Sequence, residues 1–192
     1  MKRNLTLILA GLLALGVQGQ ETNTVRSLEN LDERTKRQTA ANYYKSAAEG
    51  YLEAANNKLE IVRDYQKTIA PIEERIKNNV ETNYPAAWIK VATYLKSSGT
   101  LEKQVANSLL RAGASLEKAY DARLKLGQKI TSFLETRDSL DYQKHFDLSR
   151  IYYAASKEYF EKAGDKLNAT AVTELIAIED EQTGDAYNSL VR

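Results

Sequence analysis

His145 is the only histidine of the chain, and Asp141 stands one helical turn before it, within reach of a hydrogen bond to its ring. Such a pair is the smallest unit of acid–base or metal chemistry, although a helix-start Asp beside a solvated His explains it equally well. One histidine rules out two-histidine metal motifs, and the absence of cysteine rules out thiol nucleophiles and Cys-ligated zinc. Carboxylates adjoin at Glu73-Glu74 and Glu179-Asp180-Glu181. Neighbouring residues on a helix point in different directions rather than across a cleft, so solvated faces are expected in place of glycoside hydrolysis. Residues 180–185 hold oxygen ligands and a glycine but lack the alternating acidic pattern and closing Glu of a calcium loop. The nine glycines are scattered and form no phosphate-binding loop. The chain is therefore expected to be no enzyme and to use no metal or cofactor.

The distinctive resource that remains is twelve tyrosines and one tryptophan. A tyrosine buries an apolar ring while its hydroxyl seeks a partner, which suits helix packing and protein interfaces alike. Tyr43 and Tyr44, and again Tyr152 and Tyr153, are adjacent, so both members of a pair cannot face one core. Tyr43, Tyr44, Trp88, Tyr152 and Tyr153 are the candidate contacts for a protein partner or for further copies of the chain.

The elements that must position them are helices. Two prolines occur in the whole sequence and no stretch sustains the period-two alternation of a strand. Over 31–70 the apolar positions Tyr44, Ala47, Tyr51, Ala54/Ala55, Leu59, Val62, Tyr65 and Ile69 step by three and four, marking one buried stripe. Asn56-Asn57 either breaks that segment into a hairpin or sits on its exposed side. Pro71 is expected to open a short helix through Ile76 and Val80, and Pro85 another that ends at Ser97-Ser98-Gly99. Thr100 then caps a long helix whose core face carries Leu101, Val105, Leu109, Ala112, Leu116, Ala119/Tyr120, Leu124, Gly127, Ile130 and Phe133/Leu134. Ser139-Leu140-Asp141 begins the next, with Leu148, Tyr152, Ala155, Tyr159 and Ala163 inward and a Gly164 cap. A last helix follows from about Leu167 through Ala171, Leu175 and Ile178, with Thr183-Gly184-Asp185 as an interruption.

Residues 1–19 combine a basic start at Lys2 and Arg3, a short apolar run and a small-residue exit, the pattern of a secretory signal peptide cut after Gly19. Residues 20–30 are polar and read as a flexible lead-in to one helical domain over 31–192. A cysteine-free exported chain must fold by burial alone, and this length is sufficient for one core. A bacterial periplasm or secretion from such a cell is the expected place, without stable membrane insertion once the signal is removed. The chain carries 27 basic and 26 acidic residues, and removal of Lys2 and Arg3 leaves 25 against 26. That balance argues against a nucleic-acid partner. Its distribution is uneven: 171–192 carries Glu174, Glu179, Asp180, Glu181 and Asp185 against Arg192, whereas 101–130 carries Lys103, Arg111, Lys118, Arg123, Lys125 and Lys129 against Glu102, Glu117 and Asp121, a pattern expected of oppositely charged solvated faces.

Residues 51–57, 115–121 and 159–165 share a small or aromatic residue, an apolar one, Glu, then Ala and Asn or Asp, a recurrence of the kind found where helical hairpins stack. The stretch 151–169 resembles a tetratricopeptide-repeat hairpin, with Tyr152, Ala155, Ser156, Tyr159, Gly164-Asp165 and Ala169 in the roles that family gives to aromatic, small, turn and second-helix positions. Tyr44, Ala47, Ala48, Tyr51 and Asn56-Asn57 form a weaker copy. The resemblance implies a groove that binds a peptide or protein. The expected fold is all-α, made of antiparallel long helices and helical hairpins, either tetratricopeptide-like or a compact, coiled-coil-like bundle. The expected role is a non-catalytic interaction or scaffold module of the envelope, or else a self-assembling component of a periplasmic filament, sheath or appendage.

Overall fold

The computed structural model describes residues 33–190, with the side chains of 179, 180 and 182–190 outside that description. The signal peptide expected at 1–19 and the lead-in at 20–30 lie outside the described residues. The described chain is all-α, with five helices and no strand: α1 (Glu33–Lys77), α2 (Tyr84–Leu124), α3 (Ser132–Asp138), α4 (Tyr142–Lys162) and α5 (Lys166–Leu190). Helices α1 and α2 form a long hairpin, α4 packs on α2, α5 on α4, and the short α3 on α2.

Heptad spacing builds the hairpin. On α1 the buried residues Ala41, Ala48, Ala55, Val62 and Ile69 are seven apart, and on α2 so are Val91, Ser98, Val105, Ala112 and Ala119. A period of seven keeps one seam facing its partner over many turns, and alanine in that seam lets two backbones come close. Of the stripe expected on α1, Ala55, Val62 and Ile69 are buried. Tyr44, Ala47, Tyr51, Ala54, Leu59 and Tyr65 flank the seam half-buried instead.

Several expected breaks are absent. Asn56-Asn57 lies on the exposed side of an unbroken helix. Pro71 sits inside α1 rather than at a start, and it too is exposed. The Lys67 carbonyl that loses its partner there is on the solvent side, where water can serve it. Ser97-Ser98-Gly99 and Thr100 lie within α2, neither ending nor capping a helix, because this is where α4 presses on α2. A Cβ on Gly99 would stand 2.8 Å from two ring carbons of Tyr153 and 3.1 Å from the Ser149 carbonyl oxygen. Ser149 Oγ donates to the Gly99 carbonyl at 2.8 Å and Ser156 Oγ to the Ala92 carbonyl at 2.7 Å. Small residues here serve close helix approach, not a turn.

The helix expected to run through 134 ends at Leu124. Gly127 adopts φ +76°, Gln128 N–H donates to Arg123 O and Gly127 N–H to Leu124 O, the two bonds of a Schellman end. Leu124 and Gly127, expected on the core face, are exposed at this turn. The starts at Pro85 and Asp141 and the end at Gly164 are as expected. Asn83 Oδ1 accepts from Ala86 N–H at 3.2 Å with Pro85 in the first turn, and Asp141 Oδ1 accepts from Lys144 N–H at 3.1 Å. Gly164, also at φ +76°, closes α4 with the same pair of bonds from Asp165 to Phe160 and from Gly164 to Glu161. Residues 151–169 form a helix–turn–helix, whereas 44–57 belongs to one continuous helix. The backbone of α5 runs on through 183–185.

Helix α4 uses two faces, which corrects the single inward stripe expected for it. Tyr152, Ala155 and Tyr159 join Ile69, Ile72, Ala87, Val91 and Leu95 between α1 and α2. Tyr153 and Phe160 pack with Ala92, Ala169 and Val172 between α2 and α5. The adjacent tyrosines therefore enter two different cores. Phe146, Ser149 and Ser156 are buried as well, none of them on the expected stripe.

Candidate interaction surface

The five aromatic candidates do not form one surface. Trp88 lies half-buried in the first turn of α2, tilted against Tyr84 with ring centroids 5.7 Å apart. Tyr152 is half-buried between α4 and α1, where Gln66 Nε2–H donates to its hydroxyl oxygen, and burial pushes its phenol upward from the usual value of 10.0. Tyr153 is 2 % exposed, with its ring against Gly99 and its hydroxyl 3.0 Å from Thr100 Oγ1. It is a core residue, which corrects its candidacy as a partner contact: the side chain has no free face to offer.

Tyr43 and Tyr44 do meet, edge to face, at 5.4 Å between centroids and 69° between planes. Tyr43 is 39 % exposed. Lys118 Nζ of α2 lies 5.5 Å from the Tyr44 ring centroid, a cation–π contact between the two arms of the hairpin. This pair sits near the end of the hairpin where the chain enters α1 and leaves α2.

That tip is held by an arginine among amides. Arg123 Nη1 donates to Gln38 Oε1 at 2.9 Å and Gln128 Oε1 at 2.8 Å, and Nη2 to Asn42 Oδ1 at 2.8 Å. Arg37 Nη1 donates to the Lys125 carbonyl at 3.2 Å while its Nε–H bonds Glu33 at 3.0 Å. These bonds tie the start of α1 to the end of α2. Because Arg123 finds only neutral acceptors among the described residues, its charge is positioned but not cancelled. Around it, stretches 33–37 and 118–129 hold seven cations, Arg34, Lys36, Arg37, Lys118, Arg123, Lys125 and Lys129, against the carboxylates of Glu33 and Asp121. Leu124, 48 % exposed, completes an apolar and cationic tip. The basic excess of 101–130 was visible in the sequence. The contribution of 33–37 was not, because only the hairpin brings the two stretches together.

His145 has a different partner from the one its spacing suggests. Asp141 caps α4, and the ring Nδ1 lies 2.6 Å from Glu102 Oε2 of α2. The Glu102 side chain is 3 % exposed and occupies a core position between Leu95 and Leu109 at heptad spacing. The pair ties α4 to α2. Among the described residues no three His, Cys, Asp or Glu side chains gather as metal ligands would. The clefts among the described residues include one of about 520 Å³ at Pro71, Arg75, Val80 and Lys90, and a second of about 430 Å³ at Leu109, Gly113, Arg137 and Leu140. In the second, Arg137 is already paired with Glu117 and Asp138.

No family model, curated protein or solved structure matches this chain.

Proposed function

We propose that the protein is an exported, non-catalytic interaction or scaffold module of a bacterial cell envelope, which engages a protein partner through the tip of the α1–α2 hairpin. The observation that carries this reading is the tip itself: Tyr43, Tyr44 and Leu124 among cations, on two helices locked together by Arg123. An aromatic and aliphatic centre with charged surroundings is the composition of a docking surface. The signal-like start at 1–19 supports export, and the Tyr-rich helices support contact rather than catalysis.

The test is a photo-crosslinking residue placed at Thr39, exposed beside Tyr43, in a tagged copy expressed in the native host. Wild-type protein should yield a discrete protein adduct. The Tyr43→Ala/Leu124→Ala variant should lose it while retaining wild-type helical content. An adduct of undiminished yield in that variant would remove the tip from the function.

A further inference from the structure

From the charge distribution we infer that the tip receives the acidic α5 of a second copy, so that successive copies join head to tail. This inference rests on the tip being the interaction surface and names its partner.

The two regions are complementary. Against the seven cations and two carboxylates of the tip, the sequence of α5 carries Glu174, Glu179, Asp180, Glu181 and Asp185 with Lys166 as its only cation. The whole chain is nearly neutral at +1, so this is a separation of charge within one molecule rather than an excess of either sign. Within the chain, α5 packs on α4, and the tip is made by α1 and α2. Of the α5 carboxylates, those of Glu174 and Glu181 are exposed. Part of the cationic pole is paired, Arg37 with Glu33, while Arg123 is surrounded by amide oxygens and Lys125 and Lys129 are exposed.

Apolar matter accompanies the charge on both sides. Tyr43 and Leu124 are exposed at the tip, while Leu167 at 81 % and Ile178 at 45 % are exposed on α5. A 25-residue helix is about 37 Å long, enough to lie across the end of a two-helix hairpin and carry both its apolar residues and its carboxylates onto it. Two different surfaces meeting make a heterologous contact, which propagates into a ring or an open filament rather than stopping at a dimer.

The experiment is sedimentation velocity on the purified protein across a concentration series, at low and at high salt. Wild-type protein should form species larger than a dimer at low salt. Raising the ionic strength to about 0.5 M should dissolve them, because exposed charges are screened beyond a few ångströms there. Lys125→Glu/Lys129→Glu at the tip and Glu179→Lys/Glu181→Lys in α5 should each weaken self-association at least about tenfold. Mixing the two variants should restore association, since one retains a native α5 and the other a native tip. Wild-type protein that stays monomeric at all concentrations would overturn the inference, as would variants that associate like wild type or a mixture that fails to associate. A monomer that still gives a tip-dependent crosslink to a foreign protein would overturn the second-copy assignment while leaving the tip as the interaction surface. Loss of that crosslink's dependence on the tip would overturn both.

Discussion

Gly99→Ala is a substitution for which two physical effects have opposite signs. Alanine in place of glycine inside a helix favours folding by about 1 kcal/mol through backbone entropy. At this site the added methyl would lie 2.8 Å from Cδ1 and Cε1 of Tyr153 and 3.1 Å from the Ser149 carbonyl oxygen, where 3.4–4 Å is ordinary contact. The ring cannot swing away, because Tyr153 is 2 % exposed in the core shared with α5 and its hydroxyl meets Thr100. Helix α4 must therefore retreat by roughly half an ångström or more, a kind of overpacking that costs about 1–3 kcal/mol. Retreat also stretches the Ser149 and Ser156 bonds to the α2 carbonyls, each worth about 1 kcal/mol. The clash wins, with a net loss of about 1–3 kcal/mol and a fall in Tm of about 2–4 °C per kcal/mol for a domain of this size. Urea unfolding followed by circular dichroism measures it. In a Tyr153→Ala background the ring is gone and the same substitution should become neutral or stabilising, a sign change that a double-mutant cycle detects. A Gly99→Ala protein more stable than its parent would refute the packing of α4 on α2 described above.

Removing the His145 ring by His145→Ala leaves the buried Glu102 carboxylate without its partner and should cost about 3 kcal/mol in the same assay, whereas the double replacement Glu102→Leu/His145→Phe should recover most of that loss. Tyr159 offers a pH test. Burial first, then the Glu73 carboxylate that accepts its hydroxyl proton at 2.7 Å, pushes its phenol from 10.0 up to about 12. A folded-state value above the unfolded one means that its contribution is complete below about pH 10 and is lost as the pH climbs to about 12. Wild-type protein should therefore lose more stability over that interval than Tyr159→Phe, and equal losses would contradict the assignment.

The sequence displayed its helices well and its seams poorly. Period, caps and turn residues located the starts at Pro85 and Asp141 and the end at Gly164, since these are local signals written in a few neighbouring residues. The breaks expected at Pro71 and at Ser97-Ser98-Gly99 were misread because the same residue types serve two purposes. Proline is tolerated where its orphaned carbonyl faces water, and serine and glycine let one helix lie against another. Which face of α1 is buried was also blurred. The seam contains Ala41, Ala48 and Ala55, and the larger tyrosines beside them carry the stronger apolar signal. Tyr153 was indistinguishable from Tyr152 until the second core, made by α5, gave each its own side. At the tip, the cations of 118–129 were legible and their neighbours at 33–37 were not, because chain separation hides any site built from two ends of a hairpin.

The order of packing has a consequence for how the chain acquires its structure. After the first hairpin closes, α4 docks on α2, and α5 on α4, so each later addition finds its principal support already made earlier in the chain. A polypeptide emerging from its N-terminal side can fold as it emerges, first by the meeting of α1 and α2, then by the return of α4 across 50 to 64 residues to α2. Run backwards, the same order describes opening: α5 can detach and leave the hairpin standing, whereas α2, with neighbours on both sides, can go only when everything goes. Amide protons should therefore exchange most slowly along α2 and most rapidly along α5.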